Sequence, residues 1–204
     1  MKLYYAPGAC SLAQHIVARE ADLPLEIVKV EFGATGRTAG GRNFYDINPM
    51  GAVPALELDN GEVLTENAVL LQYLAAQKPS AHLAPTGGGI EHWRYLELLS
   101  FIATELHKGF SPLFANPPEE WRAEVVKKLG GRLKLLEQRL ADKPYLWGDR
   151  FTVADAYAYV ILNWAHAKKI DLSATPKLVA YFARLNERPG VRKALAEEGL
   201  LQAA

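Results

Sequence analysis

The chain has 204 residues but a single cysteine, Cys10, and no excess of either charge. One thiol cannot form an internal disulfide and is too few for a multi-cysteine metal site, so we expect no bound metal. Lysine and arginine together number 23, as do aspartate and glutamate, which makes the formal net charge zero. Because the chain has no basic block long enough to follow a phosphate backbone, we expect no nucleic-acid partner.

Long hydrophobic runs are scarce as well. Residues 1–8 lack the apolar stretch of a signal peptide, and no apolar run approaches the roughly 20 residues that a membrane span requires. We therefore expect a cytoplasmic protein without a membrane partner. Half of the residues are hydrophobic and 23% are charged, which is typical of a globular protein with a sizeable core.

The first eighty residues mix strand and helix patterns. Strand patterns occur at 3–6, 25–32, 53–58 and 63–64, helical patterns at 11–21 and 66–77, and a glycine-rich loop with a short helical piece at 33–47. We therefore predict a mixed α+β domain with a four-stranded sheet over residues 1–80.

Proline, glycine and alanine then become frequent, which indicates a linker at residues 81–89. Beyond it only helical patterns occur, at 90–114, 118–141, 153–168, 176–187 and 191–197. Residues 90–204 are accordingly predicted to form an all-helical domain.

Cys10 lies where a predicted strand passes through a Pro-Gly turn into a helix. It is either a small packed residue or a reactive thiol. The start of a helix presents unpaired N–H groups and partial positive charge, which favour the thiolate, so the position favours reactivity. Ala13 stands where a Cys-x-x-Cys motif would carry its second thiol, so any resolving thiol must come from another molecule.

Two further segments allow a structural or a binding role. Val53-Pro54 is either an ordinary strand-edge proline or a cis bond that leaves the Val53 backbone open to an extended peptide. Thr65-Glu66-Asn67 begins a predicted helix, where these residue types either cap the helix or hold the charged end of a ligand.

In the helical domain, Glu105 and Lys108 are either a solvated pair or, with His107, part of a site that stabilises a thiolate. Thr152 and Asp155 have the spacing of a capping box, which we interpret as structural.

Together these segments resemble bacterial beta-class glutathione S-transferases. The motifs are residues 1–12, Asn48-Pro49-x-Gly51-x-Val53-Pro54-Ala55-Leu56, Leu64-Thr65-Glu66, Glu105-Leu106-His107-Lys108-Gly109-Phe110 and Phe151-Thr152-Val153-Ala154-Asp155-Ala156. They occur in order, and the resemblance extends to Glu198-Gly199-Leu200. Cys10 and the His107-Lys108 pair indicate the beta class, since most other classes use Tyr or Ser near the N-terminus.

The resemblance implies a thioredoxin-like N-terminal domain and a homodimer that uses glutathione as co-substrate. It places Cys10 at the glutathione sulfur, sometimes as a mixed disulfide, with Ser11 beside it. It pairs Val53, before Pro54, with the cysteinyl backbone. It further implies that Glu66 and Asn67 hold the γ-glutamyl end, that His107 and Lys108 approach from the helical domain, and that Ser100 and Glu105 face the partner's glutathione.

Three positions depart from the family pattern. Asn67 replaces a common Ser or Gly, and Ser100 replaces a familiar Asn. The loop at 33–37 lacks the lysine that relatives offer to the glycyl carboxylate, and Arg37 is the candidate substitute.

The resulting hypothesis is a transferase that conjugates glutathione to small electrophiles, mostly aromatic or halogenated. Cys10 either contacts glutathione during conjugation or acts as nucleophile in thiol transfer or dehalogenation. The alternative is a non-catalytic protein that binds glutathione or hydrophobic ligands, or a regulatory subunit.

Overall fold

The computed structural model describes residues 1–33 and 36–201. The chain forms two units: Met1–Ala84 with Glu187–Ala204, and Pro85–Asn186. Ala34 and Thr35, in the predicted glycine-rich loop, and residues 202–204 of the predicted helical domain lie outside the described residues.

The first unit is built on a mixed sheet. Its strands are β1 (Lys2–Tyr5), β2 (Glu26–Gly33), β3 (Gly36–Ala39), β4 (Arg42–Asn43), β5 (Ala55–Glu57) and β6 (Val63–Leu64), in the order β4-β3-β2-β1-β5-β6. β1 and β2 are parallel, and Leu3 is opposite Ile27 on one side and Leu56 of antiparallel β5 on the other. The predicted fold class, an α+β sheet domain followed by a helical one, is confirmed.

The sheet has six strands rather than the predicted four. The additional β3 and β4 come from the segment predicted as a loop. Gly40 and Gly41, with φ of 56° and 79°, form the two-residue connection between Ala39 and Arg42. Such a turn requires positive φ at both central residues, so these glycines make a hairpin where their composition had indicated an irregular loop.

The helices match the predicted segments closely. They are α1 (Leu12–Glu20), α2 (Asn67–Gln77), α3 (Ile90–Phe101), α4 (Lys108–Phe114), α5 (Glu119–Leu140), α6 (Val153–Ala167), α7 (Pro176–Asn186) and α8 (Pro189–Glu197). The predicted helix at 90–114 is continuous, but residues Ile102–His107 between α3 and α4 are π-helical. None of the helices in the described ranges is long and apolar enough to cross a membrane.

One helix of the predicted C-terminal domain belongs to the first unit instead. α8 packs on α1, where Arg188 Nη2 lies 2.5 Å from Glu20 Oε2 and Arg19 Nε lies 2.6 Å from Glu197 Oε2. These pairs join residues more than 160 positions apart. The predicted boundary at residue 90 assigned α8 to the helical domain, because a local sequence pattern does not indicate contacts between residues so far apart in the chain.

The second unit is entirely helical among its described elements. α6 is buried over most of its length, and α5 buries Leu129, Leu133, Leu136 and Leu140. These four leucines lie in phase on one face, as the sequence pattern predicted. The capping box is also present: Asp155 accepts hydrogen bonds from the Thr152 amide at 2.8 Å and the Thr152 hydroxyl at 2.9 Å.

Candidate active site

Cys10 follows β1 in a tight turn just before α1. The Ala9 amide donates to the Ala6 carbonyl at 3.0 Å, which folds the chain back before Cys10. The cysteine is only 9% exposed, and its Sγ donates to the Val53 carbonyl at 3.2 Å. The predicted junction of strand, turn and helix is therefore present, with the thiol held against the segment that precedes Pro54.

The neighbouring Ser11 is buried within the same turn. Its hydroxyl accepts from the Ala6 amide at 3.2 Å and lies 3.3 Å from the Ala6 carbonyl. Ser11 thus fixes the shape of the loop that carries Cys10.

Val53 has an open backbone amide beside this thiol. The Val53-Pro54 peptide bond is cis, the alternative that the sequence had left open. Among the residues that the structure describes, none accepts a hydrogen bond from the Val53 amide. An extended peptide can therefore pair with the Val53 backbone at this position.

Hydrogen bonds join the start of α2 to α1. Gln14 Nε2 donates to the Asn67 carbonyl at 3.0 Å and also to Asn67 Oδ1. Asn67 Nδ2 is buried and has no partner within the described chain. The first amides of a helix carry partial positive charge, so this end of α2 favours a carboxylate.

Glu66 precedes Asn67 in an unusual conformation. It is exposed and has φ of 69°, a region that non-glycine residues seldom occupy. Such backbone strain is often found at ligand-binding positions.

Arg37 lies in β3 rather than in a loop. Its guanidinium donates to the Gly51 carbonyl and lies 4.9 Å from the centre of the Phe32 ring. Gly51 has φ of 60°, and a Cβ there would lie 2.5 Å from Tyr45 Cε1. Arg37 therefore supports the segment that leads to Val53 and places a cation beside it.

The Cys10 loop has a further support that sequence reasoning did not find. The Gly8 amide donates to Glu198 Oε2 at 2.9 Å. Glu198 Oε1 lies 3.0 Å from Nδ1 of the fully buried His15, and Glu197 Oε2 lies 2.6 Å from His15 Nε2. These contacts bridge more than 180 residues, so no spacing in the sequence could have indicated them.

In the second unit, His107 packs against α6. Its Nδ1 is 2.6 Å from the Tyr157 hydroxyl, and its ring meets Trp164 edge to face at 5.1 Å. Burial, with a smaller contribution from the positive charge of Lys108, lowers the pKa of His107 to about 4. The imidazole is therefore neutral near pH 7.

Glu105 and Lys108 lie on the side of the same helix that faces α5. Glu105 Oε2 is 2.6 Å from Arg132 Nε, a partner that the sequence did not indicate. Lys108 lines a groove with residues of α5. Ser100 is exposed on α3, and its carbonyl accepts from the Thr104 hydroxyl at 2.9 Å.

Ten of the eleven predicted site residues fall into two sets, and the eleventh, Arg37, lies in β3 beside Gly51. Around α1 the structure brings together Cys10, Ser11, Val53, Pro54 and Asn67, with Glu66 adjacent to them. The second set, Ser100, Glu105, His107 and Lys108, lies on one helix that turns different sides to α5 and α6. In the described part of the chain, no group of three or more His, Cys, Asp or Glu side chains is arranged to hold a metal.

Comparison with known proteins identifies the family. One family model, glutathione S-transferase N-terminal domain, matches residues 9–77, and another, glutathione S-transferase C-terminal domain, matches residues 101–189. The chain is 43% identical over 201 residues to glutathione S-transferase GstA of Escherichia coli O157:H7, with 98% of this chain and all of that protein covered. The chain belongs to the glutathione S-transferase family. The predicted enzyme class is thereby confirmed.

Solved structures of other transferases have the same fold. A glutathione transferase from Methylococcus capsulatus has a TM-score of 0.92 at 49% identity, covering 98% of this chain and 99% of its own. A beta-class transferase from Sphingomonas chungbukensis has a TM-score of 0.92 at 44% identity, covering 98% and 100%. The resemblance of this transferase to the bacterial beta class is confirmed.

Proposed function

We propose that the first unit binds glutathione with its sulfur next to Cys10, and that the enzyme transfers it to small electrophiles, mostly aromatic or halogenated. One observation carries this proposal: Cys10 Sγ lies 3.2 Å from the Val53 carbonyl, and the amide of Val53 is open to an extended peptide. A tripeptide paired with Val53 through its central residue brings its own thiol to Cys10.

Each end of glutathione has a complementary group nearby. The γ-glutamyl carboxylate fits the first amides of α2 and the unpaired Nδ2 of Asn67, while Glu66 attracts the ammonium group. Arg37, the cation next to the segment before Val53, is assigned to the glycyl carboxylate.

In conjugation, the glutathione thiol loses its proton and the sulfur attacks the electrophilic carbon. A carbon–sulfur bond forms, and a halide or other leaving group departs with the bonding electron pair. The partial positive charge at the start of α1 favours the glutathione thiolate, and the Cys10 thiol can turn its single hydrogen from the Val53 carbonyl to that sulfur.

The alternative role of Cys10 is thiol transfer. The Cys10 thiolate attacks the glutathionyl sulfur of a mixed disulfide, which releases the other thiolate and leaves Cys10 joined to glutathione. A second glutathione thiolate then attacks that bond, yielding glutathione disulfide and restoring Cys10. The same cysteine chemistry supports reductive dehalogenation with two glutathione molecules as the electron source.

The residues of the second unit keep the roles that the resemblance implies. His107 and Lys108 are proposed to approach the reacting sulfur, where the positive charge of Lys108 favours the thiolate and the neutral His107 can form a hydrogen bond with it. Ser100 and Glu105 are proposed to face the glutathione of the partner subunit in a homodimer. The cytoplasmic location stays a prediction from the sequence.

The test combines calorimetry with two activity assays. Wild type, Cys10→Ala and Cys10→Ser are titrated with glutathione, then assayed with an activated aryl chloride and with a glutathione mixed disulfide. We expect wild type to bind and turn over glutathione. If both variants lose only disulfide reduction, Cys10 is the nucleophile of thiol transfer. If they lose conjugation, Cys10 takes a direct part in the conjugation reaction.

A matched pair of carboxylate variants tests the binding mode. Glu66→Gln should weaken glutathione binding about tenfold because the ammonium group loses a charged partner. Glu62→Gln, in the exposed turn before β6, should leave binding unchanged. Binding without turnover would favour the ligand-carrying alternative, and no binding by reduced wild type would overturn the glutathione site.

A further inference from the structure

A buried pair of side-chain amides links α1 to the first turn of α2. Gln14 is fully buried in α1, and Asn67, the first residue of α2, is only 7% exposed. Gln14 Nε2 donates to the Asn67 carbonyl at 3.0 Å and also to Asn67 Oδ1. Two carboxamides thus meet inside the first unit, at the helix start to which we assign the γ-glutamyl carboxylate.

The backbone carbonyl of Asn67 determines which way both amides are turned. A backbone carbonyl can only accept, so the end of Gln14 that faces it must be the Nε2 donor. The same Nε2 also faces one end of the Asn67 side chain, and a donor must meet an acceptor there, which is Oδ1. Asn67 Nδ2 is therefore the end turned away from Gln14.

Each of the two amides has one end without a partner. Among the described residues, neither Asn67 Nδ2 nor Gln14 Oε1 has a hydrogen-bond partner, although both atoms are buried. A glutamine that leaves one of its own ends unpaired adds little net stability to the fold, because the cost of the buried Oε1 offsets the bonds from Nε2. Its other effect is to fix the direction of the Asn67 donor, and that effect bears on ligand binding.

The direction of the Asn67 amide matters because its two ends act oppositely on a carboxylate. Nδ2 donates a hydrogen bond to a carboxylate oxygen, whereas Oδ1 would face that oxygen with a partial negative charge. A serine hydroxyl at this position could rotate by itself to donate. An asparagine amide needs a neighbour that holds the oxygen end away from the ligand, and Gln14 is that neighbour.

We propose that Gln14 is a positioning residue, which holds Asn67 so that Nδ2 donates to the γ-glutamyl carboxylate; this role rests on the proposed binding of glutathione at the start of α2. Gln14 is fully buried and acts through Asn67 rather than by touching the ligand. The two amides together make the enzyme selective for thiols that carry a carboxylate at this end.

The test compares two thiols that differ in one group. 4-Aminobutyrylcysteinylglycine is glutathione without the carboxylate of its γ-glutamyl residue, and it keeps the ammonium group. Both thiols are titrated by calorimetry into wild type, Gln14→Met, Asn67→Leu and the double variant, after circular dichroism has checked that each is folded. Gln72→Met is the matched control, because Gln72 lies in α2 and donates to the Ala68 carbonyl of its own helix at 3.0 Å.

We expect wild type to bind glutathione about thirtyfold more tightly than the analogue, because the charge-assisted hydrogen bonds are lost with the carboxylate. Gln14→Met and Asn67→Leu should each reduce this ratio to about threefold, which the first amides of α2 maintain. The double variant should show the same ratio as Asn67→Leu, since Gln14 acts through Asn67. Gln72→Met should keep the wild-type ratio.

If Gln14→Met weakens both thiols equally and keeps the wild-type ratio, Gln14 is only structural and the proposed positioning role is wrong, while glutathione binding itself stands. A further fall of the ratio in the double variant would show that Gln14 does not act through Asn67. If Gln14→Met does not fold, Asn67→Leu decides, because an unchanged ratio there would overturn the donor role of Asn67. Equal binding of both thiols by wild type would overturn the proposed binding mode together with the role of Gln14.

Discussion

The Gly8 amide donates a 2.9 Å hydrogen bond to the Glu198 carboxylate, although 190 residues separate the two in sequence. Gly8 lies two residues before Cys10, and its φ of 69° suits glycine. The other carboxylate oxygen of Glu198 lies 3.0 Å from His15. The end of the chain thus holds the loop that presents the reactive thiol.

Glu198→Ala should destabilise the protein by about 3 kcal/mol, because the buried His15 and the Gly8 amide both lose their acceptor. Conjugation by the folded variant should also fall, since the Cys10 loop loses its anchor. Urea unfolding and steady-state kinetics check this. Glu187→Ala is the control: its side chain is 75% exposed and lies 3.4 Å from Arg192, so it should cost less than about 1 kcal/mol. Equal losses in the two variants would contradict a role for the Gly8 contact.

His107 should make stability depend on pH. Burial lowers its pKa to about 4, whereas the pKa of a histidine in the unfolded chain is near the ordinary 6.5. Between these values the unfolded chain binds more protons than the native protein, so stability is lost as the pH falls from 6.5 toward 4. The total loss of folding stability across this pH range is about 3 kcal/mol.

The measurement is urea unfolding at pH values spanning that window. His107→Gln should flatten the slope, because glutamine does not titrate. His166→Gln, at an exposed position of α6, should keep the wild-type slope because it leaves His107 in place. An unchanged slope in His107→Gln would show that other groups cause the acid sensitivity.

Asp155 is fully buried and acts as an acceptor for four donors. Besides Thr152 it accepts from the Leu146 amide at 2.8 Å and the Tyr181 hydroxyl at 2.6 Å. Asp155→Ala leaves these donors unpaired and should cost about 4 kcal/mol in denaturant unfolding. Asp142→Ala removes a carboxylate that is 94% exposed and 2.7 Å from Lys177, and should cost less than about 1 kcal/mol. Similar costs at both positions would contradict the buried network.

The sequence patterns predicted those structural features that depend on residues close together in the chain. The period of the leucines in α5 and the Thr152-x-x-Asp155 spacing both describe contacts within one helix, and both are present. Gly40 and Gly41 were interpreted as a loop because composition does not distinguish a tight hairpin turn from irregular chain. The Glu198 and Arg132 contacts are set by packing between distant segments, which no spacing records.

The last prediction concerns Arg37, proposed to bind the glycyl carboxylate in place of the missing lysine. Its guanidinium already donates to the Gly51 carbonyl, so a loss of glutathione affinity in Arg37→Gln could come from either contact. A comparison of two ligands separates them. γ-Glutamylcysteine lacks the glycine, so it should bind wild type about tenfold more weakly than glutathione.

In Arg37→Gln the two ligands should bind with nearly equal affinity, because the group that distinguished them is gone. Calorimetry on both proteins with both ligands completes the cycle. Arg42→Gln serves as the control, since Arg42 in β4 lies 3.4 Å from Glu57 and should retain the wild-type preference. If Arg37→Gln weakens both ligands by the same factor, Arg37 acts only through Gly51, and another group must hold the glycyl carboxylate.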